Sequence, residues 1–115
     1  MTNRFISAAL VALMLTTGVP ALAGPRAPSV VLTLKNHRFT PATIIVPRGT
    51  RAQIDLVNQD SATEEFDSHD LRVEQLVTPH GRTRFAIGPL NPGTYTFMGE
   101  FHPDTARGQI VVKDR

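Results

Sequence analysis

Residues 95–102 read Tyr-Thr-Phe-Met-Gly-Glu-Phe-His, and after five further residues 108–113 read Gly-Gln-Ile-Val-Val-Lys. Aromatic and small or polar residues alternate in the first stretch, and β-branched residues dominate the second. Because successive side chains of a strand point to opposite faces, these patterns predict two strands, with Tyr95 and Phe97 facing the core. The end of the chain is therefore β-structure.

Patterns of the same kind lie upstream. Short runs rich in apolar residues predict strands at 30–34, 43–46, 51–58 and 82–87, separated by Pro, Gly and Asn turns. In 51–58, Ala52, Ile54 and Leu56 share one face, as in a half-buried strand. Residues 68–77 suit either a helical turn or an irregular strand. Six to eight short strands without a long amphipathic helix predict an all-β, antiparallel Greek-key β-sandwich.

The beginning of the chain has the pattern of an export signal. Within 1–23 a basic Arg4 precedes an apolar run, and Ala-Leu-Ala at 21–23 is typical of a signal peptidase site. We expect cleavage before Gly24, a flexible leader over 24–29, and one domain over 30–115. The localisation predicted is the periplasm, without stable membrane insertion after cleavage; the alternative is an uncleaved anchor.

Composition restricts the function further. The 115 residues include no cysteine, and the formal net charge is +2, so neither disulfides nor nucleic-acid binding is expected. Six of the ten acidic residues lie between positions 60 and 74. Such a segment attracts cations, although an ordinary solvated loop would look the same.

Two short motifs carry metal-capable side chains at every second position. They are Glu65, Asp67 and His69 in the first, and Glu100 and His102 in the second. If the two segments are neighbouring strands, these groups can converge on one ion. Solvated acids and a hydrogen-bonded surface pair are the alternatives.

Carboxylates together with imidazoles suit Cu(II), Fe or Zn, whereas all-oxygen sites suit Ca or Mg. Met98 adds a soft thioether that would favour copper. Glu74 is a candidate ligand or a partner that orients a ligating histidine. His80 lies in a Thr-Pro-His-Gly turn, and we interpret it as an exposed loop residue.

The ending over 95–112, with the opening strands over 39–58, resembles the cupredoxins. The resemblance covers roughly residues 30–113 and implies their Greek-key sandwich. His102 matches the C-terminal histidine ligand of that family, Gly99 stands at the cysteine position, and Glu65 is placed at the first histidine position. Without a thiolate, a blue-copper site is excluded. His37 is interpreted as a strand-edge residue, although an early-strand histidine can reach such a site.

A longer motif resembles a narrower group. Glu-Phe-Asp-Ser at 65–68, the run 88–97, Gly-Glu-Phe-His at 99–102 and Thr-Ala-Arg-Gly at 105–108 are similar to cysteine-free cupredoxin-like proteins of bacterial periplasmic iron uptake. This resemblance implies binding of copper, iron or both, electron transfer or metal hand-over, and an iron permease with its associated components as partners.

Three functions remain open from the sequence. The first is a metal-binding protein that oxidises Fe(II) or delivers metal to the permease. The second is a copper or iron chaperone or buffer without turnover, and the third is a metal-free interaction module. Hydrolytic motifs such as Gly-x-Ser-x-Gly and His-Glu-x-x-His are absent from the sequence.

Overall fold

A computed structural model describes residues 27–114 and the isolated Gly18. The predicted signal peptide otherwise lies outside the described residues, and the predicted leader is described only from Ala27. Among the residues described, no helix has the length and apolar character needed to span a membrane.

The described chain forms nine strands. They are β1 (Ser29–Lys35), β2 (Arg38–Thr40), β3 (Thr43–Pro47), β4 (Ala52–Asn58), β5 (Glu64–Ser68), β6 (Val73–Val77), β7 (Arg82–Ile87), β8 (Gly93–Gly99) and β9 (Arg107–Lys113). Residues 68–77, which the pattern left between a helical turn and a strand, form the end of β5, a turn and β6. The predicted all-β sandwich is confirmed, with one strand more than the six to eight expected.

Two sheets make up the sandwich. The first has the order β2-β1-β4-β7 and the second the order β3-β9-β8-β5-β6. The sheets are mixed, because β1 pairs with β4 and β3 pairs with β9 in parallel. The chain leaves the first sheet after β2, passes through β3 in the second sheet, and returns as β4 in the direction of β1. Such a crossover is what a parallel pair requires.

The core lies between the sheets, and its centre is aromatic. Phe66 of β5 is fully buried, with its ring centroid 4.8 Å from those of Phe85 and Phe97. Phe39 lies 5.3 Å from Phe97. Because Phe85 and Phe39 belong to the first sheet and the other two to the second, this cluster joins the layers, and burial of such large side chains dominates core energetics. The predicted inward face of β4 is confirmed, since Ala52, Ile54 and Leu56 have no exposed area.

The two sequence motifs do meet in the second sheet. β5 is antiparallel to β8, with Phe66 opposite Gly99 and Asp67 opposite Met98. However, β8 ends at Gly99, so the residues that follow lie in a turn rather than on a strand. Alternation of side chains therefore stops where the second motif begins, which decides the geometry of the site.

Candidate metal centre

A buried carboxylate lies at the start of β5. The side chains of Glu64, Phe66 and Ser68 point inward, so Glu64 is only 1% exposed. Its Oε1 accepts hydrogen bonds from the backbone N–H groups of Glu65 and Phe101, at 3.0 and 2.8 Å. Its Oε2 lies 2.6 Å from Nδ1 of His102. A buried carboxylate needs such partners, because an unpaired charge in the interior is costly.

Gly99 makes room for this carboxylate. A Cβ atom at position 99 would lie 2.7 Å from Cδ of Glu64 and 2.7 Å from Cβ of Ala106. Carbon atoms normally approach to about 3.5–4.0 Å. The carboxylate of Glu64 thus occupies the space that the side chain of any residue other than glycine would need at position 99.

The turn after β8 directs His102 toward Glu64. The N–H of His102 donates to the carbonyl of Gly99 at 3.1 Å, and the N–H of Ala106 donates to the carbonyl of His102 at 2.9 Å. Gly99 also receives support from this turn, because its N–H donates to the carbonyl of Ala106 at 2.8 Å. The His102 side chain is 30% exposed, so it joins the buried Glu64 to the solvent.

A second histidine covers the first. His37 follows β1 in a two-residue turn, and its ring stacks on that of His102 with centroids 3.6 Å apart and an interplanar angle of 13°. Donor atoms of His37, Glu64 and His102 lie within 4.8 Å of one another. Among the described residues this is where metal-capable side chains converge.

In the stacked arrangement, the rings of His37 and His102 are not oriented to bind one metal ion together. An imidazole binds a metal through a nitrogen lone pair in its ring plane, at about 2.0–2.1 Å. Two nearly parallel rings 3.6 Å apart cannot both aim such lone pairs at a single ion. Ion binding by both histidines therefore requires at least one ring to rotate out of the stack.

Asp60, in the connection between β4 and β5, lies beside His37. Its Oδ2 is 3.5 Å from Nδ1 of that ring. Partial burial is the largest single effect and raises the pKa of Asp60, but the backbone N–H donors of His37 and Asn36, together with the nearby His37 and His102 rings, lower it more, so its pKa lies below the usual value. The carboxylate is thus ionised at neutral pH and adds negative charge next to the histidine pair.

The structure separates the predicted ligands into two groups. His102 belongs to the cluster with His37 and Glu64. The other six lie elsewhere: Glu65, Asp67 and Met98 on the outer face of the second sheet, Glu74 on β6, Glu100 in the turn after β8, and His69 in the exposed turn after β5. Because β8 ends before them, Glu100 and His102 do not share one face of a strand. His102 faces Glu64, whereas Glu100 lies beside the acidic residues of the outer face.

The acidic residues of the outer face crowd one another. Asp67 pairs with Glu74 across β5 and β6, and the N–H of Glu100 donates to the carbonyl of Glu65 at 2.9 Å. A hydrogen bond with the Asp67 carboxyl raises the pKa of Glu100, and the charges of Asp67, Glu65 and Glu74 raise it further. This surface is negatively charged and exposed.

We call His37, Glu64 and His102 the inner cluster. The sequence patterns did not identify Glu64 and His37 as members of it. Glu65 was placed at the first histidine position, whereas the carboxylate that faces His102 is that of Glu64. A usable signal existed, because a residue two positions before the core residue Phe66 must share its inward face. His37 was interpreted as a strand-edge residue, and no local pattern shows that its turn folds over position 102. Phe101, which precedes His102 in the turn after β8, is 51% exposed and does not belong to the core.

Comparison with known proteins agrees with this architecture. A family model described as a cupredoxin-like domain matches residues 6–112. An uncharacterized protein of Rickettsia prowazekii is 44% identical over 85 residues, which are 74% of this chain and 68% of that protein.

Solved structures show the same fold at low identity. Auracyanin A, a blue copper protein of Chloroflexus aurantiacus, is 11% identical with a TM-score of 0.66, over 76% of this chain and 100% of its own. The metal-binding domain of a Cu(I)-exporting P-type ATPase of Streptococcus pneumoniae is 14% identical with a TM-score of 0.65, over 75% and 85%. A mutant amicyanin in the Cu(I) state is 15% identical with a TM-score of 0.60, over 74% and 82%.

Proposed function

Since the chain belongs to the cupredoxin-like domain family, we propose that it is a periplasmic metal-binding protein that holds copper or iron between His37, Glu64 and His102. The observation that carries this proposal is the convergence of three donor groups within 4.8 Å at one end of the sandwich. The fold and the copper proteins that share it support a general metal-binding role.

The donor set can be tested against the candidate ions. Two imidazoles and one carboxylate suit Cu(II), Fe(II) and Zn(II). The set contains no thiolate, and the soft thioether of Met98 lies on the outer face of the second sheet, away from Glu64. The residues present therefore fit a nitrogen and oxygen site, and they do not fit the trigonal His₂Cys site of a blue-copper protein.

Glu64 has the features of a preorganised ligand. It is buried, its Oε1 is held by two backbone N–H groups, and its Oε2 is directed toward His102. An ion bound here would take over the contact that Oε2 makes with the imidazole. The backbone bonds to Oε1 would persist and keep the carboxylate oriented.

For the physiological role, we propose service in ferrous iron uptake, by oxidation of Fe(II) or by hand-over of metal to an iron permease. The motif resemblance over 65–108 supports this role, and the partial exposure of His102 would let an ion leave or a redox partner approach. Copper, when bound, would supply one-electron redox chemistry. His37 and His102 would hold it at the surface, and Glu64 would anchor it from within.

The binding proposal is tested by calorimetry and thermal unfolding with Cu(II), Fe(II), Fe(III) and Zn(II). A ligand that binds only the native state stabilises that state and so raises the melting temperature. At a free metal concentration of 100 times Kd the stabilisation is about 2.7 kcal/mol. We expect the shift to be lost in His102→Ala and retained in His69→Ala, which removes an exposed histidine at the opposite end of β5 from Glu64. Superimposable traces with and without every metal would refute the proposal.

The same titrations distinguish the inner cluster from the outer acids. A double variant, Glu65→Gln with Glu100→Gln, removes two of the predicted outer ligands and leaves His37, Glu64 and His102 in place. We expect it to bind one ion with wild-type affinity. If it fails to bind while remaining folded, the ion belongs to the outer face instead.

The redox role has its own test, aerobic Fe(II) oxidation by copper-loaded protein. We expect a rate above buffer that His102→Ala abolishes. Rates equal to buffer in a protein that binds copper stoichiometrically would leave the chaperone or buffer function as the better explanation.

A further inference from the structure

The turn that carries His37 has an unusual backbone. Asn36 and His37 have φ angles of 51° and 58°, both in the left-handed region. Positive φ at both positions is typical of the two-residue turn of a hairpin such as β1–β2, although glycine is the residue that adopts it without steric cost. Because neither residue is glycine, contacts from outside the turn help to hold the conformation that places the His37 ring on His102.

Asp60 supplies those contacts. Its Oδ1 accepts the N–H of Asn36 at 2.7 Å and its Oδ2 accepts the N–H of His37 at 2.9 Å. Hydrogen bonds from N–H groups to an ionised acceptor are about twice as strong as neutral ones. A single carboxylate thus satisfies both donors of the turn, from a loop more than twenty positions along the chain.

Asp60 is itself held by the protein. Its N–H donates to Oδ1 of Asn58 at 2.9 Å, and its carbonyl accepts the N–H of His80 at 3.0 Å. Asn58 is buried, with its Nδ2 bonded to the carbonyls of Ala62 and Thr78 at 2.8 and 3.0 Å. A chain of hydrogen bonds therefore runs from the buried amide of Asn58 through Asp60 to the turn of His37.

We propose that Asp60 is a positioning residue of the metal centre, which holds His37 in reach of the ion bound at Glu64 and His102. This inference rests on the proposed metal-binding function and adds to it a residue that does not touch the ion. Asp60 contributes through the backbone of the turn, so its loss should release His37 while Glu64 and His102 stay in place.

The test compares Asp60→Ala with wild type and with a matched control. Asp70 also accepts two hydrogen bonds with its carboxylate, from the N–H and the Oγ1–H of Thr96 at 2.9 and 3.1 Å, but none from the turn of His37 or the turn of His102. We expect Asp60→Ala to weaken Cu(II) binding about 10–100-fold, the range typical of lost outer contacts to a ligand. We expect Asp70→Ala to lower stability without changing affinity. Asp60→Asn, which keeps one acceptor oxygen, should lie between wild type and Asp60→Ala.

Two spectroscopic readouts separate positioning from a general loss of stability. Electron paramagnetic resonance of the Cu(II) protein should show one coupled imidazole nitrogen fewer in Asp60→Ala than in wild type and Asp70→Ala. In the metal-free protein, the ring-current shifts that the stacked His37 and His102 impose on each other should disappear in Asp60→Ala. Wild-type affinity and an unchanged copper spectrum in folded Asp60→Ala would overturn the inference.

The two proposals fail in distinguishable ways. If wild type binds none of the metals, the proposed function is refuted, and the shifts in the metal-free protein still decide whether Asp60 holds the His37 turn. If wild type binds and the Asp60 variants bind equally well, only the role of Asp60 is refuted.

Discussion

Replacing Gly99 by alanine tests the steric argument that underlies the metal centre. The added methyl group would lie 2.7 Å from Cδ of Glu64 and 2.7 Å from Cβ of Ala106. To restore an ordinary carbon contact, the carboxylate must retreat by about 1 Å. Its Oε2 now lies 2.6 Å from Nδ1 of His102, so a retreat of this size would stretch that bond to the limit of hydrogen bonding.

The expected loss of stability follows from the cost of overpacking, which can be converted into a fall of the melting temperature. Overpacking a well-filled site costs about 1–3 kcal/mol. For a domain of this size each kcal/mol lowers the melting temperature by about 4–8 °C. A mid-range cost of about 2 kcal/mol thus predicts a fall of about 8–16 °C. Metal affinity should fall as well, because the displaced Glu64 no longer faces His102.

Gly108→Ala is the matched control. A Cβ at position 108 would collide with the ring of Phe97 and lie 2.9 Å from the carbonyl oxygen of Ala42, and Glu64 is not among its nearest contacts. Urea unfolding should show destabilisation in both variants, whereas calorimetry with Cu(II) should show weakened binding in Gly99→Ala alone. A Gly99→Ala protein with wild-type stability and affinity would refute the claim that Gly99 makes room for the carboxylate.

Three further variants test the site, the surface and the core. Glu64→Gln keeps the side-chain shape but replaces one acceptor oxygen by a donor; it should weaken metal binding at least tenfold, measured by calorimetry, and destabilise the metal-free protein by about 1–3 kcal/mol. Asp70→Asn tests pH dependence. Hydrogen bonds from Thr96 lower the pKa of Asp70 below its ordinary 3.8, so the stability it contributes is present above that pH and is lost as the pH falls through the lower, folded-state value. Urea unfolding should therefore separate wild type from Asp70→Asn at pH 7, and the difference should shrink below pH 4; a constant difference would contradict the assignment. Phe66→Ala, at the aromatic centre, should cost about 3–5 kcal/mol by urea unfolding, and a cost below 1 kcal/mol would mean that the aromatic cluster contributes little.

Local patterns predicted much of the fold, because a strand with one buried face must alternate. The positions of β1, β3, β4, β7, β8 and β9 could be inferred in this way, as could the inward face of β4. The pairing of β5 with β8 was a condition of the metal hypothesis, and the structure satisfies it. The parallel pairs could not be inferred, because strand direction depends on which sheet each connection crosses.

The candidate site was predictable only in part. His102 was identified through a family resemblance, but the same alternation that predicted strands was extended past Gly99, where β8 ends. That extension grouped Glu100 with His102, although the turn directs them to different surroundings. Applying alternation backward from Phe66 would have placed Glu64 inside.

By itself the sequence determined that this chain forms an all-β domain without thiol ligands, since alternation, turn residues and the lack of cysteine are local or compositional facts. It also determined that carboxylates, imidazoles and methionine thioethers are the available side-chain ligands. Only the tertiary structure decided which of them meet. His37, Glu64 and His102 come from three segments far apart in sequence, and their contact depends on β5 pairing with β8, on the space left by Gly99 and on the turn held by Asp60. Those are long-range relations, and no window of the sequence contains them.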